Sequence, residues 1–449
     1  MNQTIFYKAA ALLLLAMPAA AQQPLSSWGD NRYGRLGNGT ASSTEIPTKI
    51  GTDNWIAIAG GDFFSAGIQA DGSLWTWGDQ SQGQLGNGAT TGSATGVEAP
   101  AQIGTDKDWV FITGGSAHTI AIKKDHTLWG WGDNGDYALG TGSGTDLYVP
   151  TAIGGGTADW QYAAGGDAHT LAIKTDGSLW AWGDNAFGKL GDGTKIDRSK
   201  PLQIGTDKDW VMVSAGQECS FGIKADGSLW TWGQSTTGGT DNLSPVQLGT
   251  DKDWKLVTSS NNSHFAIKTS GTLWAWGNNF VGQLGIGSST SMTTPTQVGS
   301  DNNWMAVKGG YMHTVALKTD HTLWGMGAGK PSGSSSPLGV NKPTQIGTSA
   351  GWYVIASGSG HVLALGKGTG TAISEATAAT NIAVYPNPAT DVLMISGNAV
   401  SVTICNLAAQ CVYQGQTGNI PVAAYPAGVY YYQVVLTDGS LATGSFVKK

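Results

Sequence analysis

Residues 165–183 read GGDAHTLAIKTDGSLWAWG, and this stretch decides the fold. Two short apolar runs, HTLAIK (169–174) and SLWAW (178–182), flank an Asp-Gly pair. Such a pair between alternating runs marks a β-hairpin, because a type I′ turn needs positive φ at both central residues. The hairpin's last five residues, LWAWG, recur with small changes at 74–78, 128–132, 229–233 and 273–277, and as LWGMG at 323–327. A lone Trp after a Gly/Asp-rich turn recurs seven times, at Trp55, Trp109, Trp160, Trp210, Trp254, Trp304 and Trp352. All 19 tryptophans fall in these slots or in LSSWG at 25–29, so the repeat organises the whole aromatic core.

Each unit reads as four strands. One starts at the lone Trp, the second follows a Gly-Gly turn, and the third is LWxWG. The fourth lies near a PTQI or PTKI segment, where Pro is tolerated only at an edge, a strand start or a bulge. Four strands every 44–54 residues specify propeller blades. The residue between the paired tryptophans is always small (Thr76, Gly130, Ala181, Thr231, Ala275, Gly325), which lets a bulky sheet face nest against a bare one. The seventh unit has Trp352 and His361 but lacks its own LWxWG. LSSWGDN at 25–31 supplies that strand, so the ring is expected to close there and hide its edges. The expected fold is all-β: a seven-bladed propeller over residues 22–367, followed by a small antiparallel β-sandwich.

Composition narrows the function. Charged residues make up 12% of the chain against roughly 25% in typical soluble proteins, and the net charge is −7 with no basic run. Nucleic acid and anionic membrane surfaces are therefore not expected partners. Lys8 followed by the apolar stretch 9–20 and Ala19-Ala20-Ala21 reads as a signal peptide over residues 1–21. That apolar stretch is too short to span a bilayer, and no later one is longer. Three cysteines, Cys219, Cys405 and Cys411, make neither a disulfide scaffold nor a zinc site.

The pattern GGxxHTxAIKxDGxLWxWGDNxxGxLGxGT…P resembles the regulator-of-chromosome-condensation repeat family, over about residues 25–366. The resemblance implies the propeller fold and action through protein–protein surfaces. The family includes nucleotide-exchange factors, a plant UV-B photoreceptor and a secreted β-lactamase inhibitor. The photoreceptor's Gly-Trp-Arg-His-Thr motif is missing: the matching slots read GSAHT, GDAHT and GYMHT.

Residues 368–380 are small and polar and read as a linker. Beyond them the repeat and the tryptophans stop, and short β-rich runs follow. YPNPATDVLMI (385–395), AGVYYYQV (427–434) and the terminal Lys-Lys resemble the type IX secretion sorting domain, here residues 381–449. That resemblance implies handling by the type IX machinery of a Bacteroidetes-like bacterium and a secreted or outer-surface location. Cys405 and Cys411 flank a turn and are open to a disulfide or to two free thiols.

No constellation for catalysis stands out. His118, His169, His313 and His361 share one repeat slot, held elsewhere by Phe64, Cys219 and Ser263. A slot that Phe can fill is a packing and hydrogen-bonding slot. His126 and His321 replace a turn Gly and are expected to be exposed. Of 27 Asp, 18 lie in three recurrent turn slots, where the side chain closes the turn. Glu218 breaks the pattern and is the one carboxylate to test for chemistry. No enzyme, cofactor or metal is expected, and a monomer is.

What remains is surface. Strand alternation puts the Gly-Gly turns and the WGDNxxGxLG corners on one rim, and the Asp-Gly and GTDKDW turns on the other. The first rim varies where the repeat leaves freedom. Its candidate binding residues are Arg32, Tyr33, Gln82, Asp136, Tyr137, Phe187 and Phe280. Aromatic side chains there anchor proteins or stack on sugars. An extracellular protein is the expected partner, with a glycan as the alternative and a polysaccharide-active enzyme behind both.

Overall fold

The computed structural model describes residues 24–89, 96–235, 239–329, 339–366, 382–386, 388–397, 399–405, 411–436 and 441–449. The expected leader and linker lie outside these residues. Seven four-stranded antiparallel sheets arise from the repeat. Blade 1 runs Trp55–Gly60, Phe64–Gln69, Leu74–Gly78 and Val97–Ile103, from axis to periphery. Blades 2 to 6 repeat this order, starting at Trp109, Trp160, Trp210, Trp254 and Trp304.

Blade 7 closes the ring. Its inner strands are Trp352–Ser357 and His361–Gly366, and its outer strands are Leu25–Gly29 and Thr44–Ile50. Trp28 pairs with Val362 and Gly29 with His361, which is the expected closure. Its extent differs from the expectation. The front of the chain supplies two strands, because the PTKI run at 47–50 continues this blade rather than the next.

The outer strand of each blade carries a register shift beside its Pro. In blade 1 the partners jump from Thr76↔Ala101 to Gly78↔Val97, so Pro100 sits where no ladder hydrogen bond is demanded of it. In blades 1 to 4 the tryptophans pack as a triad. Trp160 lies edge-on to both Trp180 and Trp182, with ring centroids 5.9 Å apart in each case. The second strand runs beneath with a small residue; at Gly67 and Gly222 a Cβ would meet the lone Trp ring at 2.8 and 2.6 Å. The second Trp of LWxWG is fully buried and reaches the preceding corner, as when Trp182 Nε1 donates to Ala138 O at 2.8 Å.

The tail forms two sheets, one of three strands (Ile382–Tyr385, Val392–Gly397, Gly418–Pro421) and one of four (Ala399–Cys405, Cys411–Gln416, Gly428–Leu436, Leu441–Lys448). Leu393, Ile395 and Ile420 of the first share one core with Val402, Ile404, Val434 and Phe446 of the second, so the tail is a sandwich. The backbone register sets Cys405 against Cys411; their side chains lie outside the described residues. No helix among the described residues is long and apolar enough to cross a membrane.

Candidate functional site

The two rims differ in what their side chains are already doing. On the Asp-Gly rim a lysine is clipped in each of blades 2 to 6. Lys224 stands over the Trp210 and Trp230 rings at 4.9 and 4.6 Å and pairs with Asp207 and Asp209 at 2.5 and 3.3 Å. Lys123, Lys268 and Lys318 repeat the arrangement with Asp106, Asp251 and Asp301. A second layer, Lys107–Asp71, Lys208–Asp176 and Lys252–Asp226, ties this rim from one hairpin to the next. These lysines and aspartates are satisfied from within the rim.

A belt of imidazoles joins the blades below the other rim. His118, His169, His313 and His361 place Nε2 beside Thr170, Ser220, Ser357 and Ser65 of the following blade, at 2.8–3.2 Å. Thr170, Ser220 and Ser65 each donate their hydroxyl proton to a carbonyl, of Ala138, Lys189 and Arg35 respectively. Those hydroxyls therefore accept from the ring, and the neutral Nε2–H tautomer is required. Burial holds His118 down to about 4 and His313 to about 3, and keeps His169 and His361 well below the usual value. Phe64 fills this slot in blade 1, while in blade 5 Ser263 binds Asn278 O and the shifted His264 meets Cys219 Sγ at 3.8 Å. His126 is exposed as expected, but His321 is half-buried because its ring packs on Tyr353 at 4.5 Å.

Above the belt the Gly-Gly turns form a hoop round the axial mouth. Asp62 N donates to Ser116 O, Ser116 N to Gly166 O, Asp167 N to Gly216 O, and Tyr311 N to Ser359 O. Backbones approach this closely because the turns lack side chains; a Cβ on Gly60 would lie 2.7 Å from Gly358 N. Four corners outside the hoop, those of blades 2, 3, 5 and 7, are each set by a buried Asn. Asn185 Nδ2 donates to Thr194 O and Ile196 O while its Oδ1 accepts from Leu190 N. Asn31, Asn134 and Asn279 do the same, a role visible in the repeated WGDN only once the loop's shape is known.

The corners hold the expected binding residues. Arg32 is exposed and paired with Asp30 at 2.8 Å. Tyr33 is 42% exposed and edge-on to Phe63. Gln82 is exposed and reaches Asp133 at 3.4 Å. Asp136 is exposed, Tyr137 and Phe187 are half-buried, and Phe280 is 45% exposed. They stand on five separate corners, so they form a ring of positions rather than one patch.

One part of the ring is built differently. In blade 5 the Gly-Gly turn becomes Ser259-Ser260, and Asn261 takes a φ of 32°. Here a cleft of about 220 Å³ opens, lined by Gln217, Asn261, Asn262, Asn278, Phe280 and Tyr311 among others. Tyr311, 51% exposed, was not among the expected residues, since GYMHT looked like one more repeat slot. Its signal was the aromatic side chain in a turn position that otherwise holds Asp, Ser, Gln or Asn. Glu218 binds the buried Lys189 at 3.1 Å, alongside Asp184. It locks a corner to the next blade and faces no second carboxylate across an open site.

Against known families, the model described as regulator of chromosome condensation (RCC1) repeat matches residues 27–68, 71–122, 125–173, 176–223 and 270–317, just over half of the chain. The chain belongs to the regulator of chromosome condensation repeat family. The matched segments leave residues 224–269 between them, which is where blade 5 departs from the pattern. Residues 383–449 match the secretion system C-terminal sorting domain. This tail is of the type IX kind and implies secretion or an outer-surface location.

Relatives of this RCC1-repeat chain serve different ends. It is 32% identical over 186 residues to the Ultraviolet-B receptor UVR8 of Arabidopsis thaliana, which is 40% of this chain and 41% of the receptor. It is 25% identical over 195 residues to the E3 ubiquitin-protein ligase HERC2 of Homo sapiens, 42% of this chain but 4% of the ligase. The chain thus spans under half the length of these relatives. The crystal structure of human WBSCR16 superposes with a TM-score of 0.68 at 19% identity, covering 77% of this chain and all of that one. Prp20p from Saccharomyces cerevisiae gives 0.71 at 16% identity, covering 80% and 95%. These likenesses show the fold alone.

Proposed function

We propose that this chain is a secreted or cell-surface propeller that binds a protein partner through the Gly-Gly rim, with residues 381–449 delivering it to the type IX machinery. The observation that carries the reading is the cleft holding Phe280 and Tyr311. Two large aromatic side chains stand about half exposed at one site on a rim whose backbone is braced by the hoop. Aromatic anchors on a rigid frame are what protein interfaces use most. The opposite rim supports no such role, because its lysines and aspartates bind one another. Export of this kind also removes the chain from intracellular partners.

A glycan is the second reading, and the same cleft favours it. Gln217, Asn261, Asn262 and Asn278 surround the two rings with amides and no charge, a lining that suits sugar hydroxyls. The test is capture of extracellular partners by the full chain and by a Phe280→Ala/Tyr311→Ala variant, beside Lys208→Ala on the other rim. The proposal expects capture by the parent and by Lys208→Ala, and at least ten-fold less by the double variant. Binding confined to a glycan array moves the assignment to the sugar reading. Equal capture by all three chains overturns the rim.

A further inference from the structure

We propose that the axial channel is a binding site for a small organic anion, with Lys308 holding the acid group. The inference is independent of what the rim binds. The channel encloses a cavity of about 260 Å³ lined by the innermost strands. Four residues after the lone Trp, those strands carry Ala59, Thr113, Ala164, Ser214, Thr258, Lys308 and Ala356. All seven lie at one height, since each pairs with the third residue of its second strand, as Thr113 does with Ile120 and Lys308 with Val315. Six are small and one is a lysine. A long cation thus enters a layer where its neighbours leave room beside it.

No described residue neutralises that cation. The Asp-Gly-rim lysines 123, 174, 224, 268 and 318 each have an aspartate, yet Lys308 has no ion pair or hydrogen bond among the described residues. No Asp or Glu lines the cavity. Lys308 keeps open surface although protein surrounds it, as a side chain standing in a channel does, and burial pulls its ammonium below the ordinary lysine value. An unpaired cation in such a place is stabilised by any anion small enough to reach it.

The surroundings narrow the anion's chemistry. Thr113, Ser214 and Thr258 put hydroxyls at the height of Lys308, suited to acid oxygens. Two residues earlier on the same strands stand Phe111, Tyr162, Met212 and Leu256, and the Phe111 and Tyr162 rings lie 5.3 Å apart. The site therefore offers a polar layer above an apolar one. That arrangement fits a carboxylate with an apolar body better than a bare inorganic anion.

The test uses the full chain and three probes: benzoate, its neutral counterpart benzamide, and inorganic phosphate. Calorimetry should give one benzoate per chain, with benzamide and phosphate each at least ten-fold weaker and Lys308→Met losing at least ten-fold for benzoate. Lysines labelled with ¹³C-methyl groups give a second readout on the unsubstituted chain, which decides even where Lys308→Met does not fold. The resonance assigned to Lys308, by its loss in Lys308→Arg, should move on benzoate addition. No saturable benzoate binding, a response at other lysines only, or equal binding by Lys308→Met overturns the proposal. Phosphate binding as tight as benzoate overturns its apolar half.

Discussion

His118 shows what one residue contributes in this ring, and its effect has a sign. Its folded pKa of about 4 lies below the ordinary 6.5, as do those of His264 and His313 at about 3, and burial holds His169 and His361 well below it too. Between those values and 6.5 the unfolded chain binds protons that the folded chain refuses. Stability is therefore complete above pH 6.5 and falls as pH drops toward 4, by up to about 1.4 kcal/mol per unit for each imidazole. The depressed aspartates Asp71, Asp176 and Asp226 act only below the ordinary carboxylate range, and the raised Asp62 and Asp136 act with the opposite sign, so a loss of stability across this window belongs to the histidines. Urea midpoints measured from pH 7 to 4.5 should fall steeply. His313→Phe, which copies the natural Phe64, should flatten that slope; an unchanged slope would mean the belt is not neutral. Tyr137 supplies a second residue-level expectation. It holds φ at 64° in a slot that Gly34, Gly83, Gly188 and Gly282 fill in other corners, at 75–78°. The left-handed conformation costs a side chain about 1–2 kcal/mol and glycine's freedom costs about 0.5–1 kcal/mol. Tyr137→Gly should therefore leave the thermal midpoint unchanged or slightly raised, while removing an aromatic from the rim. The structural part of the histidines was legible in sequence because Phe shares their slot. The corner asparagines were not, since a side chain that binds carbonyls nine and eleven residues ahead leaves no local pattern.

At the scale of the strand the sequence was most explicit. Asp-Gly turns, alternation and paired tryptophans placed the second and third strands, because those signals are local. The outer strand was harder to assign: PTKI at 47–50 reads the same whether it follows blade 7 or precedes blade 1, and only pairing to Leu25–Gly29 decides it. The clipped lysine was missed as well. It ends a strand as an ordinary polar residue, and its value comes from two rings and two carboxylates brought from other strands. Lys224 is 9% exposed there, so its contact with the rings is partly desolvated. Blade 1 holds Gln69 in the same slot and its Trp55–Trp75 spacing widens to 6.3 Å, against 5.9 Å for Trp210–Trp230. Lys224→Gln should accordingly fold and lose about 1–2 kcal/mol in chemical denaturation. A loss below 0.5 kcal/mol, on the order of an exposed pair, would show that the clip is decoration.

For the whole molecule the question is how seven like units become one body. Each blade shields its neighbour's face, so an open ring would leave two faces and one strand edge to solvent. Closure is therefore concentrated in the strand Leu25–Gly29, whose five residues are buried and which binds His361–Gly366 on one side and Thr44–Ile50 on the other. The joint carries more than a ladder. Arg35, fully buried just beyond that strand, donates to Asp62 O of blade 1 at 2.7 Å and pairs with Asp30 at 2.6 Å. His361 reaches Ser65 across the same seam. Ladder, guanidinium and imidazole thus fasten the ends of the propeller together in three separate layers. Deleting residues 24–50 should unzip all three at once. The truncated chain is expected to lose its single cooperative unfolding transition, to expose the amides of residues 362–365 to rapid hydrogen exchange, and to associate through the freed edge on size-exclusion chromatography. Arg35→Met removes one layer only, leaves Asp30 to Arg32 and takes a donor from Asp62 O, so it should keep the ring closed and lower its stability by about 1–3 kcal/mol. A truncated chain that stays monomeric with a single transition would show that neighbouring blades hold without a closed ring.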